Sequence, residues 1–319
     1  MTAIGLLGFG EVGQRFATDL RAADPGRTLA AFDLLLHQAA AGERMRQQAC
    51  AVGVEMLTDA AGLAESCDLV FSAVTAEQTL AAARSLCGPA LRDVWVVDLN
   101  SAAPQTKIEC AALVAAQGGR YVEAAVMGAV APRGIAVPML LGGPEAGEAQ
   151  KMLAALGLRT EVASQQLGVA SAIKLCRSVI VKGLESLVVE SFTAARHFGV
   201  EEQVLASLHD TWPQIDWERQ GDYLFGRVIE HGRRRAEEMR ASAEMIDQAG
   251  VGGVMAGGAA ARLADAARLR ERGAFVDPAR TKAWRERADE VLRATARTVL
   301  EPGAEARPAK SPILRPKRG

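Results

Sequence analysis

The sequence lacks any apolar run that reaches the roughly 20 residues a membrane-spanning helix needs. It also lacks an excess of either charge, because 37 Lys and Arg residues nearly balance 38 Asp and Glu residues. Without such a surplus, no long-range field favours nucleic acid or an anionic membrane as a partner. The apolar N-terminus carries neither the basic region nor the cleavage site of a signal peptide. We therefore expect a cytoplasmic protein that binds neither nucleic acid nor a membrane.

Cysteine is sparse and follows no recognisable pattern. The chain contains no C-x-x-C pair and no Cys/His spacing of the kind that binds zinc. The five cysteines are Cys50, Cys67, Cys87, Cys110 and Cys176. We expect no disulfide framework and no bound metal, which fits a reducing cytoplasm.

The first half of the chain alternates short apolar segments with Ala-rich helical ones. The strand-like segments are "TAIGLLG", "TLAAFD", "DLVFSAVT", "VWVVDLN", "RYVEAAVM" and "AVPMLLGG". Helical stretches such as "EVGQRFATDLRAA" and "PQTKIECAALVAAQG" separate them. This alternation predicts an α/β Rossmann-like domain over residues 1–165, built on a doubly wound parallel sheet.

The second half is predicted to be all-helical. A long helix from about Val169 to Phe198, ended by Gly199, leads out of the first domain; at 1.5 Å per residue it would span about 45 Å. We expect residues 166–300 to form an all-α domain for substrate binding and dimerisation. The Pro-rich, basic tail over residues 301–319 is predicted to be disordered.

A glycine motif opens the first helix directly after the first strand. It reads Gly8-x-Gly10-x-x-Gly13 in "GLLGFGEVGQRF". In this context the first glycine permits a tight turn, the second lets a pyrophosphate approach the backbone, and the third lets the helix pack closely. The free N–H groups of the helix start would then face the phosphates. The predicted cofactor-binding residues of this loop are Gly8, Phe9, Gly10, Glu11, Val12 and Gly13.

Asp33 ends the second strand, twenty positions after Gly13. A carboxylate there can accept hydrogen bonds from the ribose hydroxyls and repel a 2′-phosphate, which favours NAD and leaves NADP as the alternative. A turn residue without a ligand is the competing interpretation. Other strand ends add Val74, Thr75 and Asn100 as further predicted cofactor contacts, since open α/β sheets bind ligands at that edge.

These segments, in this order, resemble the β-hydroxyacid dehydrogenase superfamily, which includes 3-hydroxyisobutyrate and 6-phosphogluconate dehydrogenases. The resemblance covers about the first two hundred residues, through the glycine motif, Asp33, "DLNSAAP", "EAAVMGA" and "GVASAIK". The later segments "KGLESLVVE" and "RRRAEEM" resemble a bacterial phosphogluconate dehydrogenase-like branch whose C-terminal domain has no settled function.

The resemblance implies roles for several residues. Lys174 would be the general acid/base, Ser101 would contact substrate, and the backbone of Gly128 and Ala129 would hold a carboxylate. Met127 stands where the family has a serine and makes the pocket less polar. Arg177 and Ser178 follow Lys174 in place of the family's K-x-x-N spacing, and both are candidate substrate-binding residues.

Lys174 raises a physical question, because an ammonium group on a largely apolar helix must be paired, exposed or used. Burial and a neighbouring cation would lower its pKa towards the working range. Arg177, three residues on, could be that cation or could hold a substrate carboxylate. Ser171, Lys174 and Ser178 share one helical face. A lysine that merely extends to solvent at the helix edge is the alternative.

The leading hypothesis is an NAD(P)-dependent dehydrogenase that acts on a 3-hydroxyacid or a related small alcohol. An imine or ketone reductase of the same architecture and a non-catalytic NAD(P) sensor are the alternatives. We expect a small hydroxyacid or carbonyl substrate and a homodimer formed through the helical domain. His231 with Arg233, Arg234 and Arg235 could bind an anion or form a solvated helix face.

Overall fold

The computed structural model describes residues 2–277 and 283–300. In this part of the chain, the strands form one eight-stranded sheet of order β3-β2-β1-β4-β5-β6-β7-β8. The strands are β1 (Ile4–Leu7), β2 (Leu29–Phe32), β3 (Glu55–Met56), β4 (Leu69–Ser72), β5 (Trp95–Asp98), β6 (Arg120–Val126), β7 (Met139–Gly142) and β8 (Thr160–Ser164). The predicted fold class is confirmed.

One pairing in the sheet departs from the parallel arrangement. β6 and β7 run antiparallel, with Val126 opposite Met139. Parallel neighbours need a long crossover, usually through a helix, whereas only the short segment 127–138, which includes a 3-10 turn at Gly134–Ala136, joins these two strands. The remaining pairings of the described sheet are parallel.

Helices cover the sheet and continue after it. They are α1 (Glu11–Ala23), α2 (Ala39–Ala51), α3 (Ala61–Ser66), α4 (Thr79–Leu86), α5 (Pro104–Ala116), α6 (Ala146–Ala155), α7 (Val169–Phe198), α8 (Glu201–Thr211), α9 (Trp217–Gln248), α10 (Val254–Glu271) and α11 (Trp284–Leu300). The predicted long helix is confirmed, and Gly199 ends it with φ +67°. The predicted disordered tail, 301–319, lies outside the described residues.

Two cores form because side chains alternate between the faces of each strand. In β4, Leu69 and Phe71 join one core, while Val70 joins the other. Phe16 of α1 packs edge-on against Phe71, with ring centroids 5.4 Å apart. Both rings are fully buried, and burial of such a side chain contributes about 2–3 kcal/mol. These contacts fix α1, and therefore the glycine loop before it, against the sheet.

The chain divides into two compact units, and each unit is made of two separate stretches of the sequence. The first contains residues 1–186 and 233–264, and the second contains the described parts of 187–232 and 265–319. The first unit therefore includes the sheet and parts of α7, α9 and α10. The boundary at residues 165/166 stays a prediction.

The second unit has its own aromatic core. Trp284 packs against Phe192 and Phe225, with ring centroids 4.8 and 6.2 Å apart. Arg196 bridges α7 and α11 within this unit, with its Nε 2.9 Å from Asp289 Oδ1.

A buried carboxylate fixes the start of α7. Glu123 of β6 is fully buried and accepts hydrogen bonds from the backbone N–H groups of Gly168 at 2.7 Å and Ala170 at 3.2 Å. Its other oxygen accepts from the N–H and the hydroxyl of Ser171. The first N–H groups of a helix have no partner within the helix and carry a partial positive charge. Glu123 therefore caps α7 from the sheet and sets where the helix begins.

Within residues 2–277 and 283–300, none of the helices combines the length and apolar character needed to cross a lipid bilayer.

Candidate active site

The glycine loop joins β1 to α1 at the carboxyl edge of the sheet. Gly8 has φ +96°, and a Cβ there would lie 2.4 Å from the carbonyl oxygen of Ala73, just after β4. A Cβ on Gly13 would lie 2.2 Å from the carbonyl oxygen of Gly8. A Cβ on Gly10, by contrast, would meet no atom within 4 Å. The three glycines therefore provide a turn, an open approach to the backbone and a close helix contact, as the motif predicts.

The first turn of α1 is open to an anion. Gly10 is its N-cap residue and brings no side chain that could cap the helix. The first N–H groups and the helix dipole therefore favour a bound phosphate there. Glu11, the first helical residue, is exposed, and its Oε2 lies 3.8 Å from Nη1 of Arg234 on α9. This arginine offsets the negative charge that Glu11 brings to the loop.

Asp33 is fixed against the same loop. Its Oδ2 accepts a hydrogen bond from the N–H of Phe9 at 2.9 Å, and its Oδ1 accepts from Leu35 at 2.9 Å. Each carboxylate oxygen can accept a further hydrogen bond. Asp33 is therefore a half-buried, preoriented acceptor beside the glycine turn. Its sequence-based role in ribose binding stays a prediction.

Asn100 ties the ends of β4 and β5 together. Its Nδ2 donates to Ser72 Oγ at 2.9 Å, and its Oδ1 accepts from the N–H of Val74 at 2.6 Å. The side chain is buried, so it holds the Val74–Thr75 segment in place. Asn100 therefore shapes this edge of the sheet, and a direct cofactor contact by its side chain stays a prediction.

A buried charge pair holds the end of β5. Lys107 Nζ on α5 lies 2.7 Å from Asp98 Oδ1, and both side chains are almost fully buried. Tyr121 donates its hydroxyl to Asp98 Oδ2 at 2.6 Å, and burial raises the pKa of that hydroxyl. Asp98 Oδ1 also accepts from the N–H of Asn100 at 2.9 Å. The loop that carries Ser101 therefore starts from a rigid, fully paired base.

Lys174 reaches this loop from α7. Its Nζ donates a hydrogen bond to Ser101 Oγ at 2.6 Å. Although Lys174 as a whole residue is half-buried, burial of the amine is the largest cause that lowers its pKa from 10.5 to about 8. Lys174 and Ser101, to which the resemblance gives separate roles at one site, are therefore in direct contact.

Several charges act on the Lys174 amine. Glu238 on α9 raises its pKa, while Lys182, Lys107 and Arg234 lower it. Arg177 is exposed and is not among these charges. The cations with the largest effect on Lys174 are therefore residues other than Arg177, for which the sequence left this role open.

Glu238 is the carboxylate that faces this group of cations. Burial opposes its ionisation, but the ammonium groups of Lys182 and Lys174 outweigh burial and hold the pKa of Glu238 at about 2. Its Oε2 lies 2.5 Å from Lys182 Nζ, and its Oε1 lies 3.8 Å from Arg234 Nε. Glu238 is therefore a carboxylate anion throughout the physiological range.

The predicted substrate-binding residues fall into three environments. Gly128 and Ala129 are exposed after β6, and Met127 is anchored by its N–H to Pro138 O at 2.8 Å. Ser178 is buried and accepts a hydrogen bond from Lys182 Nζ at 2.9 Å. Arg177 is exposed on α7. The parallel pairing of Asp98 with Glu123 brings the segments after β5 and β6 to the same edge of the sheet.

The basic run on α9 does not form one uniform surface. Arg235 is buried in a bidentate pair with Glu185 of α7. Arg234 lies between Glu11 and Glu238. His231 Nε2 is 3.6 Å from Glu230 Oε2. Neither of the two sequence interpretations, a single anion site or a solvated face, describes the run as a whole.

Sequence reasoning missed the partners Asp98, Lys107, Lys182 and Glu238. A charged residue at the end of the apolar strand "VWVVD" and a second lysine on the long helix were the available signals. Both are weak, because neither identifies the residue on another element that neutralises the charge. Among the described residues, no group of three or more His, Cys, Asp or Glu side chains is placed to hold a metal ion.

Comparison with protein families gives two matches along the chain. Residues 3–163 match the NAD binding domain of 6-phosphogluconate dehydrogenase. Residues 195–266 match a domain of unknown function, DUF1932.

Solved structures of similar proteins agree with these matches. A conserved hypothetical protein from Sinorhizobium meliloti is 36% identical, with 92% of this chain and 97% of that chain covered and a TM-score of 0.71. The conserved protein MTH1747, of unknown function and with structural similarity to 3-hydroxyacid dehydrogenases, is 32% identical over 85% of this chain and 99% of its own, with a TM-score of 0.63. The 3-hydroxyisobutyrate dehydrogenase of Mycobacterium tuberculosis shares the fold at 18% identity, over 92% of this chain and 99% of that chain, with a TM-score of 0.64.

The glycine loop allows stability and nucleotide binding to be separated. We expect Gly10→Ala to unfold at the wild-type temperature and to lose at least about tenfold in NADH affinity, because its methyl group meets only space that a diphosphate needs. Gly13→Ala should instead lower the unfolding temperature, since its methyl group would collide with the Gly8 carbonyl. Thermal unfolding and NADH fluorescence titration of both variants measure this. Full NADH affinity in a folded Gly10→Ala variant would contradict the assignment of the loop.

Proposed function

The chain belongs to the family defined by the NAD binding domain of 6-phosphogluconate dehydrogenase, and on that premise we propose that it is a nicotinamide-dependent oxidoreductase. Its proposed reaction transfers a hydride between the cofactor and a 3-hydroxyacid or a related small alcohol. The observation that carries this proposal is the amine of Lys174, hydrogen-bonded to Ser101 and with a pKa lowered to about 8.

The residues around the glycine loop fit the cofactor. The open space above Gly10 and the uncapped start of α1 would take the diphosphate, and Asp33 would accept hydrogen bonds from the ribose hydroxyls. Its carboxylate also repels a 2′-phosphate, so we propose NAD as the preferred cofactor. When bound, the nicotinamide ring supplies the acceptor or donor for the hydride.

Lys174 would move the proton that accompanies the hydride. In its neutral form the amine accepts the proton of the substrate hydroxyl, and in its charged form it returns that proton to a carbonyl. Lowering the pKa from 10.5 to about 8 raises the neutral fraction at pH 7 about 300-fold. An ordinary surface lysine would remain almost entirely protonated there and could not act as a base.

The substrate is proposed to lie between Lys174 and the segments that follow β5 and β6. Ser101 would hydrogen-bond its hydroxyl, and the backbone N–H groups of Gly128 and Ala129 would hold a carboxylate. Met127 would face an apolar part of the substrate. Ser178, whose hydroxyl already accepts from Lys182, would act through that lysine.

Two other functions remain as alternatives. An imine or ketone reductase would use the same cofactor loop, but the imine-reducing relatives often lack a lysine at this helix position. A sensor would bind the nucleotide without turnover and would need neither Lys174 nor its contact with Ser101. The poised amine therefore weighs against imine reduction and against a sensor.

An exposed apolar stripe on α7 supports a homodimer. Ile173, Arg177, Ile180 and Leu184 recur at spacings of four and three residues, which is typical of paired helices. The three aliphatic side chains are exposed, and burying them against a second copy would remove apolar surface from water. Val254, at the start of α10, is also exposed. Arg177 lies in this stripe and could contact the partner rather than substrate.

A substrate panel tests the reaction class. We expect at least one 3-hydroxyacid to be oxidised, with kcat/KM at least about tenfold higher for NAD than for NADP because Asp33 repels the extra phosphate. Absorbance at 340 nm over a hydroxyacid library with both cofactors measures this. Faster reduction of imines than of ketoacids would favour the reductase, and tight NADH binding without turnover would favour the sensor.

The lysine mechanism makes a prediction about pH. Because Lys174 must be neutral to accept a proton, kcat/KM for oxidation should rise with pH and level off above about 8. For reduction, which needs the ammonium, kcat/KM should fall as pH rises through the same value. Lys174→Met should lower kcat about 10³-fold and leave NADH binding nearly unchanged. Lys174→Arg, whose charge cannot be lost in this range, should be equally inactive; unchanged turnover in either variant would refute the mechanism.

The dimer is tested by a charge on the α7 stripe. Changing Ile180, which is 73% exposed, to glutamate should prevent association, because two buried carboxylates would then face each other without partners. Light scattering should show a dimer for the wild type and a monomer for Ile180→Glu. Ile108→Glu, an exposed isoleucine on α5 at 41% exposure, is the matched control and should remain dimeric. A monomeric wild type at micromolar concentration would contradict the proposal.

A further inference from the structure

The buried face of α7 continues beyond Lys174 with two further polar groups. Ser178 and Lys182 follow Lys174 at successive intervals of four residues and so lie on the same face. Lys182 is buried, and its Nζ donates to Ser178 Oγ at 2.9 Å. A buried ammonium group is costly unless it is paired, and Lys182 is paired with Glu238 at 2.5 Å.

Glu238 is shared between the two lysines of this face. It attracts both Lys182 and Lys174, and Arg234 flanks it at 3.8 Å. The groups that act most strongly on the Lys174 amine come from four parts of the fold: Ser101 after β5, Lys107 on α5, Lys182 on α7, and Arg234 and Glu238 on α9. Glu238 is the carboxylate in this set, and it faces the cations.

We propose that Glu238 and Lys182 are positioning residues that keep Lys174 poised between its neutral and charged forms. Glu238 favours the ammonium of Lys174, and Lys182 opposes it both by direct repulsion and by occupying the carboxylate. This inference rests on the proposed function, because it assigns the two residues to the proton transfer of that reaction. Neither residue is assigned contact with substrate.

The balance requires both members of the pair. Without the charge of Lys182, Glu238 would have Lys174 as its remaining lysine partner and would hold it as an ammonium, which cannot accept a proton. Without Glu238, the cations around Lys174 would favour the neutral amine, which cannot return a proton. The ion pair would therefore set the pH at which oxidation gives way to reduction.

A purely structural role for the Lys182–Glu238 pair would duplicate an existing contact between α7 and α9. α7 and α9 are already joined by the buried bidentate pair of Glu185 and Arg235, three residues from Lys182 and Glu238 along each helix. Glu185 is not among the charges with the largest effect on the pKa of Lys174. The second bridge therefore provides a matched control with the same chemistry on the same helices.

The titration of Lys174 can be followed without substrate. The chain has seven lysines, so ¹³Cε-lysine labelling gives a simple NMR spectrum in which Lys174→Arg identifies the Lys174 signal. Glu238→Gln should lower the apparent pKa of Lys174, and Lys182→Met should raise it, each by about one pH unit. The double variant should lie between the two single variants, and Lys182→Arg, which keeps the charge, should retain the wild-type value.

The kcat/KM profile for oxidation should move in the same directions as the NMR titration. Glu185→Gln should leave the Lys174 titration in place even if it lowers thermal stability. Shifts of the same sign in Glu238→Gln and Lys182→Met, or no shift in folded variants, would overturn the inference. If one of these two variants does not fold, the direction of the Lys174 pKa shift in the other, compared with Lys182→Arg, still tests the inference. Opposite NMR shifts in a protein that oxidises no hydroxyacid would refute the proposed function and leave the electrostatic arrangement intact.

Discussion

The hydrogen bond from Lys174 Nζ to Ser101 Oγ, at 2.6 Å, is the contact on which the proposed reaction of this protein depends. It joins a helix to the end of a strand, so each side must be held independently. Glu123 fixes the first turn of α7 by accepting from its backbone N–H groups. Asp98 fixes Asn100, the residue before Ser101, by accepting a hydrogen bond from its backbone N–H. The lysine is thus placed by buried polar groups rather than by its own flexible side chain.

A lysine whose amine is buried stays partly neutral only if its pKa is shifted neither too little nor too far. Too little positive charge nearby leaves the amine protonated, and too little negative charge leaves it permanently neutral. Here desolvation, three cations and one carboxylate act together on the same nitrogen. The charges come from elements far apart in the sequence, which couples the proton affinity of Lys174 to the packing of α5, α7 and α9.

Sequence alone predicted the parts of this arrangement that depend on local pattern. The glycine spacing defined the β1–α1 turn because a Cβ at Gly8 or Gly13 would collide with a carbonyl oxygen within the motif or just after the neighbouring strand. The 30-residue helix α7 was predicted because its composition and its Gly199 stop are local signals, whereas the cap that Glu123 provides at its start is not. The salt bridge between Lys182 and Glu238 was not predicted, since two residues 56 positions apart leave no periodic pattern in one sequence. The role of Arg177 stayed open for a related reason, because helical spacing reports proximity on one helix only.

The compact unit that holds the glycine loop and Lys174 is discontinuous along the chain, since residues 233–264 return to it after 187–232. Synthesis on the ribosome proceeds in one direction, so β1 to β8 and the first part of α7 are complete long before Glu238 exists. Until that residue emerges, the nascent chain carries Lys182 without the carboxylate that neutralises it. A polypeptide interrupted between these points could build its nucleotide fold while its amine remained untuned, and the proposed acid–base centre would be completed only after residues 187–232 had been made.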